Sequence, residues 1–205
     1  MNVEIINHTK NPEFAIVNAA RICYNSPCDS IFHGDGSVEL GDRDKKLLLK
    51  LVGLKHFSTI EHAYFTFKIT GISRACSHQL VRHRIASYSQ RSQRYVSEVN
   101  FDYIIPAAIA DNEEANSIYK SAMESINEHY TKLMSINIKK EDARYLLPNA
   151  CATELVMTVN ARSLMNFFEL RLDKHSQWEI RALASKMYAS VNKLAPILFP
   201  VENNL

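Results

Sequence analysis

The chain has 205 residues, 46% of them hydrophobic, which is enough apolar sequence for the core of one domain of ordinary size. The formal net charge is +2 and the pI is near 8.3, so the composition argues against a protein whose whole surface binds nucleic acid. The first residues lack a basic region followed by an apolar run, and no stretch holds the roughly 18 apolar residues of a membrane helix. We therefore expect one cytoplasmic domain over residues 1–205, with neither a nucleic acid nor a membrane as partner.

The amino-terminal part of the chain is predicted to form two helices separated by a loop. A helix over residues 12–23 is indicated by Pro12, which suits a first turn, and by apolar residues at helical spacing. The loop over residues 26–41 contains a proline, three glycines and three acidic residues, and it is the best candidate for a mobile segment. Asp42 can cap the second helix, which is predicted to run to about Leu54.

The middle of the chain is predicted to hold a strand and a third helix. Ser58 and Glu61 stand at capping-box spacing, which indicates a helix start or a tight turn. Residues 63–70 alternate between apolar and polar side chains, as a half-buried antiparallel strand does, and Gly71 is expected to end that strand. A helix over residues 73–84, capped by its first residue, is predicted to follow.

The rest of the chain alternates between helical and strand-like patterns. Strands are predicted over residues 101–105 and 153–159, and helices over 112–134, 140–147, 160–171 and 177–194, with Ser176 as the cap of the last. Helices interrupted by a few distant strands indicate an α+β fold, with an antiparallel β-sheet surrounded by helices in a single domain. The regular βαβ alternation and the G-x-G-x-x-G motif of a Rossmann fold are both missing from the sequence.

The cysteines and histidines do not form a recognisable metal or disulfide pattern. Cys23, Cys28, Cys76 and Cys151 are scattered without a C-x-x-C pair, so buried free thiols are the default interpretation. No H-x-x-x-H helix pair is present either, and we therefore predict that the protein binds no metal. A transferase that uses Cys23 or Cys151 as its nucleophile stays open as an alternative.

Residues 82–95 contain four arginines among serines, glutamines and tyrosines, without one acidic residue. Guanidinium groups present rigid donor forks to phosphate and carboxylate, and tyrosines offer flat apolar faces. The segment therefore suits a phosphorylated planar ligand. Two other interpretations stay open. One is a solvated helical face, and the other is an arginine-rich module that binds nucleotides or nucleic acids, with Tyr88 and Tyr95 as stacking platforms.

The order of residues in this segment resembles the signature of the flavin-dependent thymidylate synthases, which is Arg-His-Arg, seven residues and then a serine. Here Arg82, His83 and Arg84 are followed by seven residues and Ser92, with Arg-Tyr shortly afterwards. The resemblance extends from His56 to about Ala184, and its other segments are His56–His62, Val159–Arg171 and Gln177–Ile180. The chain departs from the family where it has Ser89-Gln90 instead of the common Asn-Glu, and where Arg91 replaces a common apolar residue.

The resemblance implies an enzyme that methylates dUMP to dTMP. Members of the family take the carbon from methylenetetrahydrofolate and the hydride from reduced FAD, which NADPH regenerates, and they are homotetramers whose sites are built from several subunits. The residues that would hold FAD are His56, Ser58, Glu61, Arg82, His83, Arg84, Gln90, Asn160, Arg162 and Asn166. Those that would hold dUMP are Gln79, Arg82, Gln90, Arg91, Ser92, Gln93, Arg94, Arg144 and Arg171.

The resemblance also implies which residues act on the substrate. Arg94 and Arg144 would bind the phosphate of dUMP, whereas Arg171 would lie against the uracil and favour its anionic form. Ser92 would join Arg171 in the catalytic site. We expect Ser92 to donate a hydrogen bond to dUMP rather than to act as a nucleophile, because no base with an orienting group is left to activate it.

Overall fold

The structure is a computed structural model in which residues 1–201 are described. Helices and strands follow one another as β1 (Asn2–His8), α1 (Pro12–Cys23), β2 (Ile31–Phe32), β3 (Val38–Glu39), α2 (Asp42–Gly53), β4 (Tyr64–Ser73), α3 (Arg74–Leu80), β5 (Ser87–Gln90), α4 (Ala107–Ala110), α5 (Glu113–Ser135), α6 (Lys140–Ala143), β6 (Ala152–Asn160), α7 (Ala161–Arg171) and α8 (Trp178–Asn192). Short 3-10 helices lie at Ile60–His62 and Arg144–Leu146. Within residues 1–201, no helix has the length and apolar character of a membrane span.

The main sheet has the strand order β1-β4-β6-β5. Along β4 and β6 the paired positions run in opposite directions: the hydroxyls of Thr66 and Thr158 are 3.0 Å apart, and the Arg74 backbone N–H donates to the Cys151 carbonyl at 2.9 Å. These two strands are therefore antiparallel. In β4, Phe65, Phe67 and Ile69 are fully buried, as the period-two pattern predicts.

The chain forms two compact units, which comprise residues 1–2, 69–82 and 89–155 in one and residues 3–68, 83–88 and 156 onward in the other. In the first unit Phe101, Met123 and Cys151 form a buried cluster with aromatic neighbours. The core of the second unit includes Phe167 and Phe168, among a larger set of fully buried side chains. Because β4, β5 and β6 each continue through both units, the chain is one domain, and the predicted α+β class with an antiparallel sheet is confirmed. Its extent over residues 1–205 stays a prediction, since the last four lie outside the described range.

Several local predictions are confirmed by backbone and capping contacts. α1 has the predicted bounds, and the side chain of Ser73 caps α3 by accepting a hydrogen bond from the Cys76 N–H at 2.9 Å. The predicted cap at Asn160 is also present, because its side-chain oxygen accepts from the Ser163 N–H at 2.8 Å. These three helix starts depend on short-range chemistry, and this is why the sequence reveals them.

Other boundaries were predicted wrongly. β4 continues through Gly71, which adopts a φ of +67°, and α3 ends at Leu80 rather than at Arg84. The predicted strand over residues 101–105 is reduced to a single bridge between Tyr103 and Cys151. The helix predicted over 140–147 is a four-residue α-helix followed by a 3-10 turn.

Two predicted capping contacts are not formed. The turn or helix start predicted at Ser58 and Glu61 is present and leads into the 3-10 helix Ile60–His62, but that helix has no side-chain cap, so the two residues form no capping box. α8 is capped by Gln177, whose side-chain oxygen accepts from two backbone N–H groups, whereas the Ser176 hydroxyl donates to the Leu170 carbonyl.

The loop predicted over residues 26–41 contains the β2–β3 hairpin and is attached to α2 by buried polar contacts. The fully buried carboxylate of Asp44 accepts from the Ser30 hydroxyl at 2.6 Å and the Asp29 N–H at 3.1 Å, and it pairs with Arg21 at 2.7 Å. In return, the Asp29 carboxylate accepts from the N–H groups of Arg43 and Asp44, both at 3.0 Å. α2 is thus capped by Asp29, a residue distant in sequence, rather than by Asp42 as predicted.

This cap requires a glycine at position 41. A Cβ at Gly41 would lie 2.3 Å from the Asp29 carbonyl oxygen and 2.4 Å from its carboxyl carbon. We therefore expect Gly41→Ala to displace Asp29 and to lower the free energy of unfolding by about 1–2 kcal/mol, the usual range for a lost cap. Urea unfolding followed by circular dichroism measures this change.

Gly34→Ala is the matched control, because nothing lies within 4 Å of a Cβ built there. We expect this variant to stay within about 0.5 kcal/mol of the parent. Equal stability of the two variants would contradict the capping role of Asp29.

Candidate functional site

In the second unit, α7 presents a polar face next to its buried apolar face. Leu164 and Phe167 are fully buried, whereas Arg162 and Asn166 are exposed. The four-residue spacing puts those two side chains on the same side of the helix, one turn apart. Asn160 uses its side-chain oxygen to cap the helix, so its amide nitrogen is the part that can donate to a ligand.

The exposed face of α7 meets the segment that contains the 3-10 helix Ile60–His62. The Arg162 guanidinium donates to the Glu61 carboxylate and lies over the Phe57 ring, with its central carbon 5.6 Å from the ring centroid. His56 and Ser58 are exposed in the same segment. The structure therefore brings together residues that the resemblance assigns to the cofactor and that are separated by about a hundred positions in the sequence.

At the other end of α7, Arg171 contacts His83 from the signature segment. Its Nε donates to the imidazole Nε2 at 3.0 Å, and the imidazole ring packs edge-on against Phe167 with centroids 4.8 Å apart. Burial and the positive charge of Arg171 together lower the pKa of His83 below its ordinary value. The Tyr88 hydroxyl, whose pKa burial raises to about 12, donates to the His83 carbonyl at 2.9 Å. Arg84, one residue further along, is exposed.

In the first unit, Gln90 has a structural role that the sequence does not reveal. Its side-chain nitrogen donates to the hydroxyls of Ser77 at 2.9 Å and Thr153 at 3.2 Å, which ties β5 to α3 and β6. Gln79 is half-buried in α3, and Arg82 is exposed in the turn that follows it. Gln90 is therefore less free to bind a ligand than its place in the signature implies.

Two arginines of the signature segment in the first unit, Arg91 and Arg94, are held by carboxylates. Arg91 pairs with the buried Glu98 at 3.4 Å, and Arg94 pairs with Glu141 at 3.2 Å. Arg144 contacts the same Glu141 through its backbone, with Nε donating to the carbonyl at 3.1 Å. The two arginines predicted to bind phosphate thus converge on one residue.

The turn between Arg91 and Arg94 is closed by Ser92. The Ser92 hydroxyl oxygen accepts from the Arg94 N–H at 3.2 Å, and its carbonyl accepts from two further N–H groups. Gln93 lies half-buried within this turn, and the guanidinium of Arg94 lies over Tyr95 with 5.4 Å between its carbon and the ring centroid. Residues 91–95 therefore form an ordered turn around the Ser92 side chain.

The comparisons with known proteins agree over almost the whole chain. A family model described as "Thymidylate synthase complementing protein" matches residues 4–197. The chain is 44% identical to the flavin-dependent thymidylate synthase of Geobacter sulfurreducens over 202 residues, which cover 97% of this chain and 85% of the relative. The enzyme of the same name from Clostridium tetani is 43% identical, with the same coverage. The chain belongs to the flavin-dependent thymidylate synthase family.

A solved structure of a flavin-dependent thymidylate synthase agrees with this assignment. That protein, from Helicobacter pylori and complexed with FAD and dUMP, superposes with a TM-score of 0.77 at 30% identity and covers 98% of both chains. The resemblance carried by the signature segment is thereby confirmed. The comparisons do not support the alternative of an arginine-rich module that binds nucleic acid.

The two cysteines that were considered as nucleophiles lie in different environments. Burial raises the pKa of the Cys151 thiol to about 12, so this group is not a thiolate at neutral pH, whereas Cys23 is exposed. Within residues 1–201, His, Cys, Asp and Glu side chains form no group of three that could hold a metal ion.

Arg74 is a candidate site residue that sequence reasoning missed. Arg74 is half-buried, and this burial lowers the pKa of its guanidinium. The negative charge of Glu98 raises the same pKa, and the positive charge of Arg144 lowers it further. The Arg74 side chain donates to the Arg91 carbonyl at 3.4 Å. Arg74 is the first residue of α3, and the amino-terminal end of a helix is where a cation is least favourable. An arginine directly after the predicted cap Ser73 was therefore the feature of the sequence that could have indicated a binding role.

The contact between Arg94 and Glu141 leads to a prediction about anion binding. Both side chains are about half exposed, so the pair contributes at most about 1 kcal/mol, and an incoming anion must compete with it. We expect Glu141→Gln to tighten the binding of inorganic phosphate by up to about fivefold at low ionic strength. NMR shift titration measures this change.

Glu124→Gln, on the exposed side of α5, changes the net charge equally and is the control. The effect of Glu141→Gln should disappear at high salt. If both variants tighten phosphate binding by the same factor, the cause is overall charge and not the contact with Arg94.

Proposed function

We propose that this protein is a thymidylate synthase that methylates dUMP to dTMP with FAD as its cofactor. Methylenetetrahydrofolate donates the carbon, and NADPH supplies the reducing equivalents. The proposal depends on the polar side chains of α7 in a chain that matches this enzyme family from residue 4 to 197. On this helix Arg171 contacts His83 of the signature and Arg162 contacts Glu61, and Asn166 lies on the same helix. The Helicobacter pylori protein, which is complexed with FAD and dUMP, supports the choice of both ligands.

The donor groups around α7 fit a flavin dinucleotide. Arg162 offers a cation to the diphosphate, and the side chains of Ser58, Asn160 and Asn166 offer adaptable hydrogen bonds. Once bound and reduced, FAD supplies the hydride for the reaction. Glu61 has to release or share Arg162 when the cofactor binds, because the two side chains are paired in the structure. His56, Arg82, Arg84 and Gln90 complete the proposed cofactor set, to which the resemblance also assigns His83.

The arginines of the first unit fit the phosphate of dUMP. Arg94, Arg144 and Arg74 present three cations, and Glu98 and Glu141 compensate for part of this charge. A dianionic phosphate gains charge-assisted hydrogen bonds from such a set. Side chains that add hydrogen bonds to the nucleotide in the proposed site are those of Gln79, Arg82, Gln90, Arg91, Ser92 and Gln93.

Arg171 is proposed to act on the pyrimidine ring. A guanidinium beside the uracil stabilises the negative charge that the ring carries after it loses a proton, and in this anionic form C5 is a stronger nucleophile. The hydrogen bond from Nε to His83 leaves the two terminal nitrogens of Arg171 for the substrate. This assignment needs no protein nucleophile, and Ser92 is therefore assigned to hold dUMP in place.

We also propose that the enzyme is a homotetramer in the cytoplasm. Large apolar side chains that are widely exposed in the single chain support assembly, among them Tyr145 at 84% and Tyr95 at 72% exposure. Members of the family build their sites from several subunits, as the resemblance implies. Light scattering on the purified protein tests the subunit number.

The visible spectrum of the purified protein tests the cofactor, and formation of dTMP tests the activity. We expect flavin absorbance bands, and turnover of dUMP that requires both methylenetetrahydrofolate and NADPH. A colourless protein with salt-sensitive affinity for oligonucleotides would favour the nucleic-acid-binding alternative. Loss of activity after mild thiol alkylation, with protection by substrate, would favour a cysteine nucleophile.

Arg171→Lys tests the proposed catalytic arginine. An ammonium cannot reproduce the planar donor fork, so we expect kcat to fall by about a hundredfold or more while the bound FAD content stays near that of the parent. Steady-state kinetics and flavin absorbance measure the two effects separately. Arg181→Lys, on α8 and outside the proposed site, is the matched control and should turn over like the parent. Parallel loss of FAD and activity would assign Arg171 to the cofactor.

Ser92→Ala tests whether the serine of the signature is a nucleophile. Losing one hydrogen bond costs roughly 0.5–1.5 kcal/mol, so we expect dTMP formation to continue with dUMP affinity weakened about tenfold. Mass spectrometry of the parent trapped during turnover should show no nucleotide on Ser92. An adduct at this residue, or a folded and flavin-loaded variant without activity, would establish covalent catalysis.

A further inference from the structure

We propose that His83 is a positioning residue that holds the guanidinium of Arg171 through a hydrogen bond accepted at Nε2. The role of Arg171 in turnover rests on the proposed function, whereas the hydrogen bond itself does not. The resemblance assigns His83 to FAD. The structure instead directs its ring nitrogen to the arginine that is proposed to act on the substrate.

The geometry of the contact fixes the orientation of the arginine. Arg171 is the last residue of α7. Its Nε donates to His83 Nε2 at 3.0 Å. A bond at Nε fixes the plane of the guanidinium and leaves the two terminal nitrogens directed away from the histidine, as a fork for the substrate.

His83 is itself held on two sides. Its ring packs edge-on against the fully buried Phe167, with an interplanar angle of 81°. Its carbonyl oxygen accepts from the Tyr88 hydroxyl at 2.9 Å, which fixes the backbone. An imidazole combines a flat apolar edge for Phe167 with an unprotonated nitrogen for Arg171, and few side chains offer both.

The contact also determines the protonation state of His83. Arginine donates only, so Nε2 must carry a lone pair, and the single ring proton must sit on Nδ1. An imidazolium here would lose the hydrogen bond and place a second positive charge beside Arg171. Burial, followed by the charge of Arg171, lowers the pKa of His83, so the neutral form prevails at neutral pH. The Phe167 ring and the Tyr88 hydroxyl, which also contact His83, are uncharged at that pH.

Two substitutions of His83 test its hydrogen-bond acceptor and its aromatic ring separately. His83→Gln keeps an acceptor oxygen near the position of Nε2 and loses the ring, whereas His83→Phe keeps a ring on Phe167 and loses the acceptor. If His83 positions Arg171, His83→Phe should lower kcat by about tenfold to a hundredfold, the usual range for a lost hydrogen bond to a charged group. We expect His83→Gln to recover most of this loss, and both variants to retain their FAD.

The kinetic outcomes distinguish positioning from cofactor binding. If both variants lose FAD and show unchanged turnover for each flavin that remains bound, His83 is a cofactor ligand and the proposal is wrong. If Phe supports turnover as well as Gln does, the acceptor is not needed and the proposal is also wrong. Absence of dTMP formation by the parent itself would instead contradict the proposed function.

NMR of the ligand-free, full-length protein tests the hydrogen bond without reference to activity or to the folding of a His83 variant. Long-range 1H–15N spectra should show His83 protonated at Nδ1 and free of a proton at Nε2, with a pKa below the ordinary value of histidine. In Arg171→Leu the pKa should rise, because a neighbouring positive charge has been removed. A proton on Nε2 in the parent, or an unchanged pKa in Arg171→Leu, would overturn the proposal.

Discussion

The antiparallel pairing of β4 with β6 is the constraint on which the placement of the functional side chains depends. Both strands pass directly into helices: β4 ends at Ser73, which caps α3, and β6 ends at Asn160, which caps α7. Because no loop intervenes, the register of the strands determines where each helix begins and which of its side chains face outward. A slip of one residue would exchange the buried and exposed faces of the strands and would rotate both helices with them.

Three arginines that the resemblance assigns to ligands are paired with carboxylates within the fold, in a chain whose net charge is only +2. Glu61, Glu98 and Glu141 each pair with an arginine that the family signature assigns to a ligand. An incoming phosphate therefore exchanges one anionic partner for another rather than meeting bare cations. Such pre-paired arginines are kept in one conformation before binding, which reduces the ordering cost of complex formation.

Sequence reasoning succeeded where the decisive interaction is local. The period of β4 and the caps at Ser73 and Asn160 depend on residues within a few positions of each other, and each could be read from the chain. β1 and β5 were missed because their sequences are mostly polar and exposed, so that only pairing with a distant strand defines them. The spacing of Ser58 and Glu61 likewise does not determine whether their side chains form a capping box, and in the structure they do not.

The candidate site could be predicted only through family resemblance, and the structure adds what a motif cannot contain. The motif names Gln90 and His83 as ligands. It does not show that Gln90 connects β5 to α3 and β6, or that His83 accepts a hydrogen bond from an arginine 88 positions away. Arg74 lies outside the motif and became visible through its burial and its charged neighbours. Contacts between residues remote in the sequence are the information that the motif lacks.

The amide at position 90 has a consequence for how the sheet responds to its surroundings. Gln90 donates hydrogen bonds to the hydroxyls of Ser77 and Thr153, whereas an ionised glutamate at this position could only accept them. The Ser77 hydroxyl already donates to the Arg74 carbonyl at 2.9 Å, so an acceptor at position 90 would have to break that bond. An amide does not titrate, and the attachment of β5 to its neighbours is therefore insensitive to acidity, whereas a glutamate at the same position would gain or lose a charge.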